Sequence, residues 1–354
     1  MEKQVLLEGL DNLKALADNP RYSFLKDKDL SRIQKDYREI NYPFGTVRIQ
    51  TLASEPEGKL NEDAPIVLNM GKGRELIAVL DGASSQKPMY GLNKDGISGA
   101  FFVSHLLSMG FETTPEYKDL CDRTELSAKD IMIEMNKWIY GKIKDIEGVD
   151  YTDAATVPGM AAAFVLIDEP NKRLSLAQVA DSKIAAVKAN GEIILLTPNL
   201  NEKFDKETME YVALLAKNFN VDIGHVRQIP EAKELIRLQL ADSFRRKTNK
   251  VGGCGVMNGS PEMASNSLIY SEYIPLDGSI SSLLLYTDGV DQPYSKDEAS
   301  MQEAAIHLSN SYYSNNEKPF LEKGAEILNS DPKFEKIPRL KKRDDALIVE
   351  IRLK

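Results

Sequence analysis

The run ELIAVL at residues 75–80, closed by Asp81-Gly82, limits the fold more than any other stretch of the chain. In an extended strand successive side chains point to opposite faces, so Ile77 and Val79 share one face while Ala78 and Leu80 share the other. Both faces are apolar, which suits a strand buried on two sides inside a layered structure. SLLLYT, ending at Asp288-Gly289, has the same character. Further strands surround these two. GTVRIQTLA and PIVLNM come before ELIAVL, and the turn Gly71-Lys72-Gly73 makes PIVLNM and ELIAVL a hairpin. MAAAFVLID, RLSLAQVA, KIAAVK and EIILLT follow, with turns at Glu169-Pro170-Asn171 and Asn190-Gly191. The Asn-Gly pair favours a tight hairpin because both residues tolerate positive φ. LIYSEYIPL and ALIVEIRL complete the set. In the last, Leu347, Val349, Ile351 and Leu353 form an apolar face opposite one that turns polar through Glu350, Arg352 and Lys354.

Helical patterns separate the strand groups. Phe101, Phe102, His105 and Leu106 recur at helical spacing within residues 98–109. Ser127 caps a second run, in which Ile131, Met135, Trp138 and Lys142 fall on one stripe. Residues 205–247 read as helical, with Pro230 suited to a first turn, and 298–329 read as helical too. Residues 248–267, rich in Gly, Ser and Asn, read as an irregular loop. Residues 1–42 read as a helical N-terminal extension ending at Tyr42-Pro43, which leaves 43–354 as the main domain. Hairpins interrupted by helix pairs, without βαβ alternation, imply an α+β layered fold with antiparallel sheets.

Charge and composition narrow the function. The 354 residues are 42% hydrophobic, enough for a substantial core, and carry a net charge of −9. That charge opposes a general affinity for nucleic acid or anionic membranes and is compatible with cation binding. Two cysteines, Cys121 and Cys254, imply no disulfide framework and fit a reducing compartment. The first residues lack the apolar core of a signal peptide. The longest nearly uninterrupted apolar run, Met160–Ile167, is far short of the ~20 residues of a membrane helix. The expectation is a soluble, cytoplasmic protein.

The informative acidic residues sit at strand ends. Asp81 ends ELIAVL, Asp288 ends SLLLYT and Asp181 ends RLSLAQVA; Asp344-Asp345 begins ALIVEIRL and Glu62-Asp63 precedes PIVLNM. A sheet edge can gather such groups into one cleft, where carboxylates repel unless cations neutralise them. Oxygen-only donors then suggest Mg²⁺ or Mn²⁺. Glycine after Asp81 and Asp288 lets the backbone turn sharply. The alternative is a set of ordinary strand-end charges.

The ordered elements NEDA (61–64), VLDG (79–82), GMAAAFVLI (159–167), VADSKIA (179–185), LYTDGV (285–290) and RDDALIVEI (343–351) resemble those of the PPM family, the PP2C-type protein phosphatases. The resemblance runs from about residue 45 to the C-terminus. It implies a four-layer α-β-β-α sandwich of two antiparallel sheets flanked by helix pairs, with a flap within residues 200–267. It implies two bound Mg²⁺ or Mn²⁺ ions and, as in some members, a weaker third. Carried over, Asp81 bridges two ions, Asp288 and Asp344 complete the first, and Glu62 with the Gly82 carbonyl holds the second. Asp63 acts through ion-bound water, and Asp181 with Asp288 matches the third position. The implied activity is hydrolysis of phosphoserine and phosphothreonine in protein substrates, by water activated between the cations.

Two positions depart from the family pattern. Members carry His soon after the first Asp-Gly, where it protonates the leaving alkoxide; here Ala83 follows. Members also place a phosphate-binding Arg where Gly58 stands, with Lys59 beside it as a weaker substitute lacking the bidentate fork. These departures sustain a rival reading, a pseudophosphatase that binds phosphorylated partners without turnover. His105, His225 and His307 are scattered without zinc spacing, and Gly71-Lys72-Gly73 lacks the spacing of a phosphate-binding P-loop. Leu80-Asp81-Gly82 also lacks the paired aspartates of a haloacid-dehalogenase-type phosphatase.

Overall fold

The computed structural model describes residues 13–54, 60–83, 92, 97–226, 228–294, 301–314, 319–331 and 343–354. Along the chain the strands are β1 (Lys35–Tyr42), β2 (Gly45–Leu52), β3 (Ala64–Gly71), β4 (Arg74–Ala83), β5 (Gly159–Asp168), β6 (Arg173–Val179), β7 (Lys183–Lys188), β8 (Ile193–Leu195), β9 (Tyr270–Pro275), β10 (Ile280–Tyr286) and β11 (Ala346–Leu353). They form a six-stranded sheet in the order β1-β2-β11-β10-β7-β8 and a five-stranded sheet in the order β3-β4-β5-β6-β9. Every pairing is antiparallel.

Side-chain parity divides the core. Ile77 and Val79 of β4 pack with Val165 and Ile167 of β5 against Val47, Leu283, Leu285, Leu347 and Val349 of the other sheet. Leu76, Ala78 and Leu80 turn the other way, under the helices α1 (Gly99–Gly110) and α3 (Ala128–Ile143), with α2 (Pro115–Asp122) between them in sequence. On the far side, Leu284, Tyr286 and Ile348 pack under α6 (Met301–Ser314) and α7 (Phe320–Asn329). The result is the expected four-layer α-β-β-α sandwich. The remaining long helices, α4 (Glu202–Phe219) and α5 (Pro230–Lys247), share a small core of their own, in which Val212 and Leu215 meet Ala232 and Ile236.

Local sequence starts and stops the helices. The Ser98 hydroxyl accepts from the Phe101 amide and caps α1. Ser127 and Asp130 form a reciprocal capping box at α3. Pro230 opens α5, and α4 stops at Asn220 in the left-handed conformation, φ 54°. No helix among the described residues is long and apolar enough to cross a membrane.

Two expectations change. Residues 35–42, read as part of a helical extension, form β1 and pair along their length with β2. Their charge-rich composition hides a period of two in which Ile40 and Tyr42 reach the inter-sheet core. Residues 1–12 lie outside the described residues. In the β7–β8 hairpin only Gly191 takes positive φ, 84°. Asn190 instead accepts the Glu192 amide through its side chain, at 2.9 Å.

Glu75 shares the inward face of β4 with Ile77 and Val79 but lies at the strand's opposite end from Asp81. It is buried, and its Oε2 has no hydrogen-bond partner. Burial, reinforced by Glu169, pushes its carboxyl up from 4.5 to about 7. A raised acid favours the folded state while protonated, so this contribution is complete below 4.5 and lost as pH rises through about 7. Glu75→Gln is therefore expected to stabilise the protein at pH ~8 by about 1–2 kcal/mol, allowing for solvent screening, and much less at pH ~5. Urea melts at both pH values check this, and an equal effect at the two would refute it.

Candidate active site

Strand register brings the acidic residues to one mouth of the sandwich. Leu80 pairs with Ala64 on one side and Ala162 on the other, so Asp81-Gly82 lies beside Glu62-Asp63. In the facing sheet Ala346 pairs with Leu52, and Tyr286 pairs with both Ile348 and Lys183. That register sets Asp344-Asp345, Asp288 and Asp181 at the matching ends.

The two glycines serve close approach, not the sharp turn expected of them, since neither has positive φ. A Cβ on Gly82 would lie 2.7 Å from the Glu62 carbonyl oxygen and 3.0 Å from that of Ala100. On Gly289 it would lie 1.9 Å from the Asp345 carbonyl oxygen. Contact distance between backbones holds each Asp-Gly against a second acidic segment.

Hydrogen bonds fix the rim. Asp345, absent from the expected ligand set, is buried and accepts from the Ser54 amide at 2.6 Å and the Glu62 amide at 2.9 Å. The Ser98 hydroxyl donates to Glu62 Oε1 at 2.7 Å, and that of Ser104 donates to the Glu62 carbonyl at 2.6 Å. The Thr287 hydroxyl donates to Asp63 Oδ2 at 2.8 Å and accepts from the Leu347 amide at 3.0 Å. Asn61 accepts the Asp63 amide at 3.0 Å.

The mouth is electrostatically crowded. Burial raises the Asp81 carboxyl well above the usual range, and Asp63, Asp288, Asp181 and Asp344 add to it. Asp63 is likewise raised by burial and by Asp345, with the Thr287 bond working against it. Asp181 is raised by burial, while the bond from Asn201, at 3.1 Å, and nearby Lys183 pull it down. Lys183 is itself buried and ion-paired with Asp291; burial opposes its charge, but Asp291, Tyr286 and Asp181 hold it above the ordinary lysine range. Among the described residues no three acidic, His or Cys side chains converge tightly enough to enclose one cation. The donors nevertheless suit hard cations in kind: all are oxygens, and at this mouth each raised carboxyl has other carboxylates among the causes of its shift.

Asp81, Asp288, Asp344, Glu62, Asp63, Gly82 and Asp181 thus lie at this one end. Lys59, proposed for phosphate binding, and Gly58 are outside the described residues. The histidines lie elsewhere: His105 is buried on Phe101 with both nitrogens unpartnered, His225 stands by Asp222, and His307 meets the Tyr294 ring. Sequence reasoning singled out Asp345 as a strand-end acid without giving it a role, and missed Thr287, Ser98 and Ser104. Only Asp345 carried a signal, as the second acid of the RDD run.

Residues 53–329 match the family model of Protein phosphatase 2C. The chain belongs to that family. A protein phosphatase 2C is a phosphoprotein phosphatase, a hydrolase of phosphate monoesters. No curated protein matches the chain. Among solved structures it is similar to a bacterial serine phosphatase, at 15% identity over 87% of this chain and 97% of that one, TM-score 0.46. It is also similar to Stp1 from Staphylococcus aureus, at 14% identity over 91% and 100% of the two chains, TM-score 0.47. The catalytic domain of PstP, in complex with two manganese ions, is a third, at 15% identity over 87% and 98%, TM-score 0.42.

This protein phosphatase 2C has Ala180 before Asp181, at φ 61°. A side chain in that left-handed region costs about 1–2 kcal/mol, which glycine escapes. Ala180→Gly is expected to stabilise by about 1 kcal/mol, whereas Gly289→Ala should destabilise by about 3 kcal/mol or more through the backbone clash. Thermal melts of the two variants test the pair, and a neutral Gly289→Ala would refute the close-approach reading.

Proposed function

We propose that this mouth holds divalent cations and that the protein hydrolyses phosphoserine and phosphothreonine in protein substrates. The observation that carries the reading is the gathering of Asp81 with Asp63, Asp288, Asp181 and Asp344 at one mouth: desolvation and then these four carboxylates raise the half-buried Asp81 carboxyl, which a positive partner would relieve. Asp81 would be shared between two Mg²⁺ or Mn²⁺ ions, Asp288 and Asp344 would serve one, and Glu62 with the Gly82 carbonyl the other. Asp181 would serve a weaker third. Cations there supply a water of lowered pKa and neutralise charge building on the phosphoryl oxygens.

The chain's own contribution is orientation. Ser98 aims the Glu62 carboxylate, and Thr287 fixes Oδ2 of Asp63. Asp345 pins the Glu62 main chain, so these oxygens keep their places with little reorganisation. Lys59 remains the proposed phosphate-binding cation. The leaving alkoxide has no imidazole to protonate it, since Ala83 follows Gly82.

Phosphate release from a phosphothreonine peptide is expected with Mn²⁺, absent in chelator, and lost in Asp288→Asn. Its pH–rate profile should lack the limb falling with rising pH that a histidine general acid would give near pH ~6.5. Mn²⁺ at ~100 times its Kd should stabilise the wild type by about 2.7 kcal/mol. Asp81→Asn should raise stability in chelator, by removing one repelling charge, and abolish the Mn²⁺ response. Mn²⁺ stabilisation without turnover would replace the enzyme by a pseudophosphatase, and no stabilisation would remove the cation site altogether.

A further inference from the structure

A buried ion pair lies beside the acidic mouth. Lys183 opens β7, two residues after Asp181, and pairs across the sheet with Tyr286 of β10. The chain leaves β10 through Thr287, whose amide donates to the Leu347 carbonyl at 3.1 Å, into one helical turn, Asp288–Asp291. That turn brings the Asp291 carboxylate onto the Lys183 ammonium, and both residues are buried. The pair has further charged neighbours. Lys183 also feels Asp181, and Asp205, in the first turn of α4, feels both Lys183 and Asp291. Asn201, just before α4, donates to Asp181 at 3.1 Å. One ammonium thus stands among three carboxylates, one of which is the acid at the weakest proposed cation position.

We infer that Lys183 is an internal counter-ion for Asp181, and that its charge lowers the affinity of a divalent cation there. The inference rests on the reading of the mouth as a cation site. Electrostatics sets the sign. Like charges a few ångströms apart repel strongly in a partly desolvated site, so an ammonium beside Asp181 opposes a second cation on the same carboxylate. Asp291 moderates that opposition, because it neutralises the ammonium from its other side. The charges that act most on Asp81 are, by contrast, all carboxylates. The mouth is therefore graded. A cation shared by Asp81 meets negative charge from every one of those groups, whereas one at Asp181 meets a fixed positive charge. The position at Asp181 then fills only at higher free Mg²⁺ or Mn²⁺ and empties first when the ion becomes scarce. A buried ammonium is costly to desolvate, and an apolar side chain could fill its space without that cost. A charge that sets the strength of a neighbouring site gives Lys183 a use that an apolar residue could not supply.

The test is Mn²⁺ binding to the full chain without phosphopeptide, followed by isothermal titration calorimetry, with thermal melts in chelator to confirm folding. D181N identifies the ion at Asp181 as the one it removes. K183Q keeps a hydrogen-bond donor for Asp291 but takes away the charge, and should tighten that ion at least ~10-fold. D291N leaves the ammonium unneutralised and should loosen the same ion. K183R, which keeps the charge, should match the wild type. The opposite signs separate this role from a structural one, since a pair that only held the backbone would shift affinity the same way whichever partner was changed. K183Q and D291N moving in one direction, or K183Q without effect, would overturn the inference. Should K183Q fail to fold, D291N decides, and unchanged or tighter binding there would overturn it. An ion count that D181N leaves unchanged would do so too, while keeping the cations at Asp81. No Mn²⁺ bound by the wild type would instead remove the cation site itself, and the inference with it.

Discussion

Asp345 accepts two main-chain amides, from Ser54 at the end of β2 and Glu62 at the start of β3. A buried carboxylate with two amide donors is a strong, directional anchor. It joins segments from the two ends of the chain and from both sheets. Glu62 in turn touches Gly82 and the N-terminal turn of α1, and Gly289 packs on the Asp345 carbonyl. The other acidic segments find their places relative to this one group. Weakening it would disperse the mouth before it disturbed the apolar layers behind.

The layers are what make the crowding tolerable. Between the sheets β4 and β11 bury almost nothing but aliphatic side chains. That apolar contact, at ~25 cal/mol per Å² buried, gives the sandwich a stability reserve. The reserve is drawn down at the acidic mouth. Asp63 and Asp81 are desolvated beside like charges, and Ala180 is held at positive φ next to Asp181. Like charges and a non-glycine residue at positive φ set side by side are the pattern of a site whose geometry matters more than its local stability.

Much of this was legible in the sequence because strands buried on both faces leave few readings. ELIAVL and SLLLYT announced the central strands, and the Asp-Gly pairs marked where they end. The Ser127 cap followed from a local pattern for the same reason: the interaction is between near neighbours in the chain. Charge-rich β1 was obscured because its apolar positions, Ile40 and Tyr42, are few and its partner β2 supplies the rest of the pairing. Thr287, Ser98 and Ser104 act on residues that are distant in sequence, so nothing around them advertises the contact. The glycines were correctly singled out for the wrong physical reason, because close approach between segments is a tertiary fact that no local turn pattern contains.

The small private core of α4 and α5 has a different consequence. Val212, Leu215, Ala232 and Ile236 bury themselves against one another and add little to the inter-sheet layers. A unit that keeps its own books can open by itself, at a free energy below that of global unfolding. Its amide protons would then exchange with solvent while those of β4 stay protected. Over evolutionary time, the same independence lets this excursion lengthen, shorten or change sequence while the sandwich beneath it keeps its register.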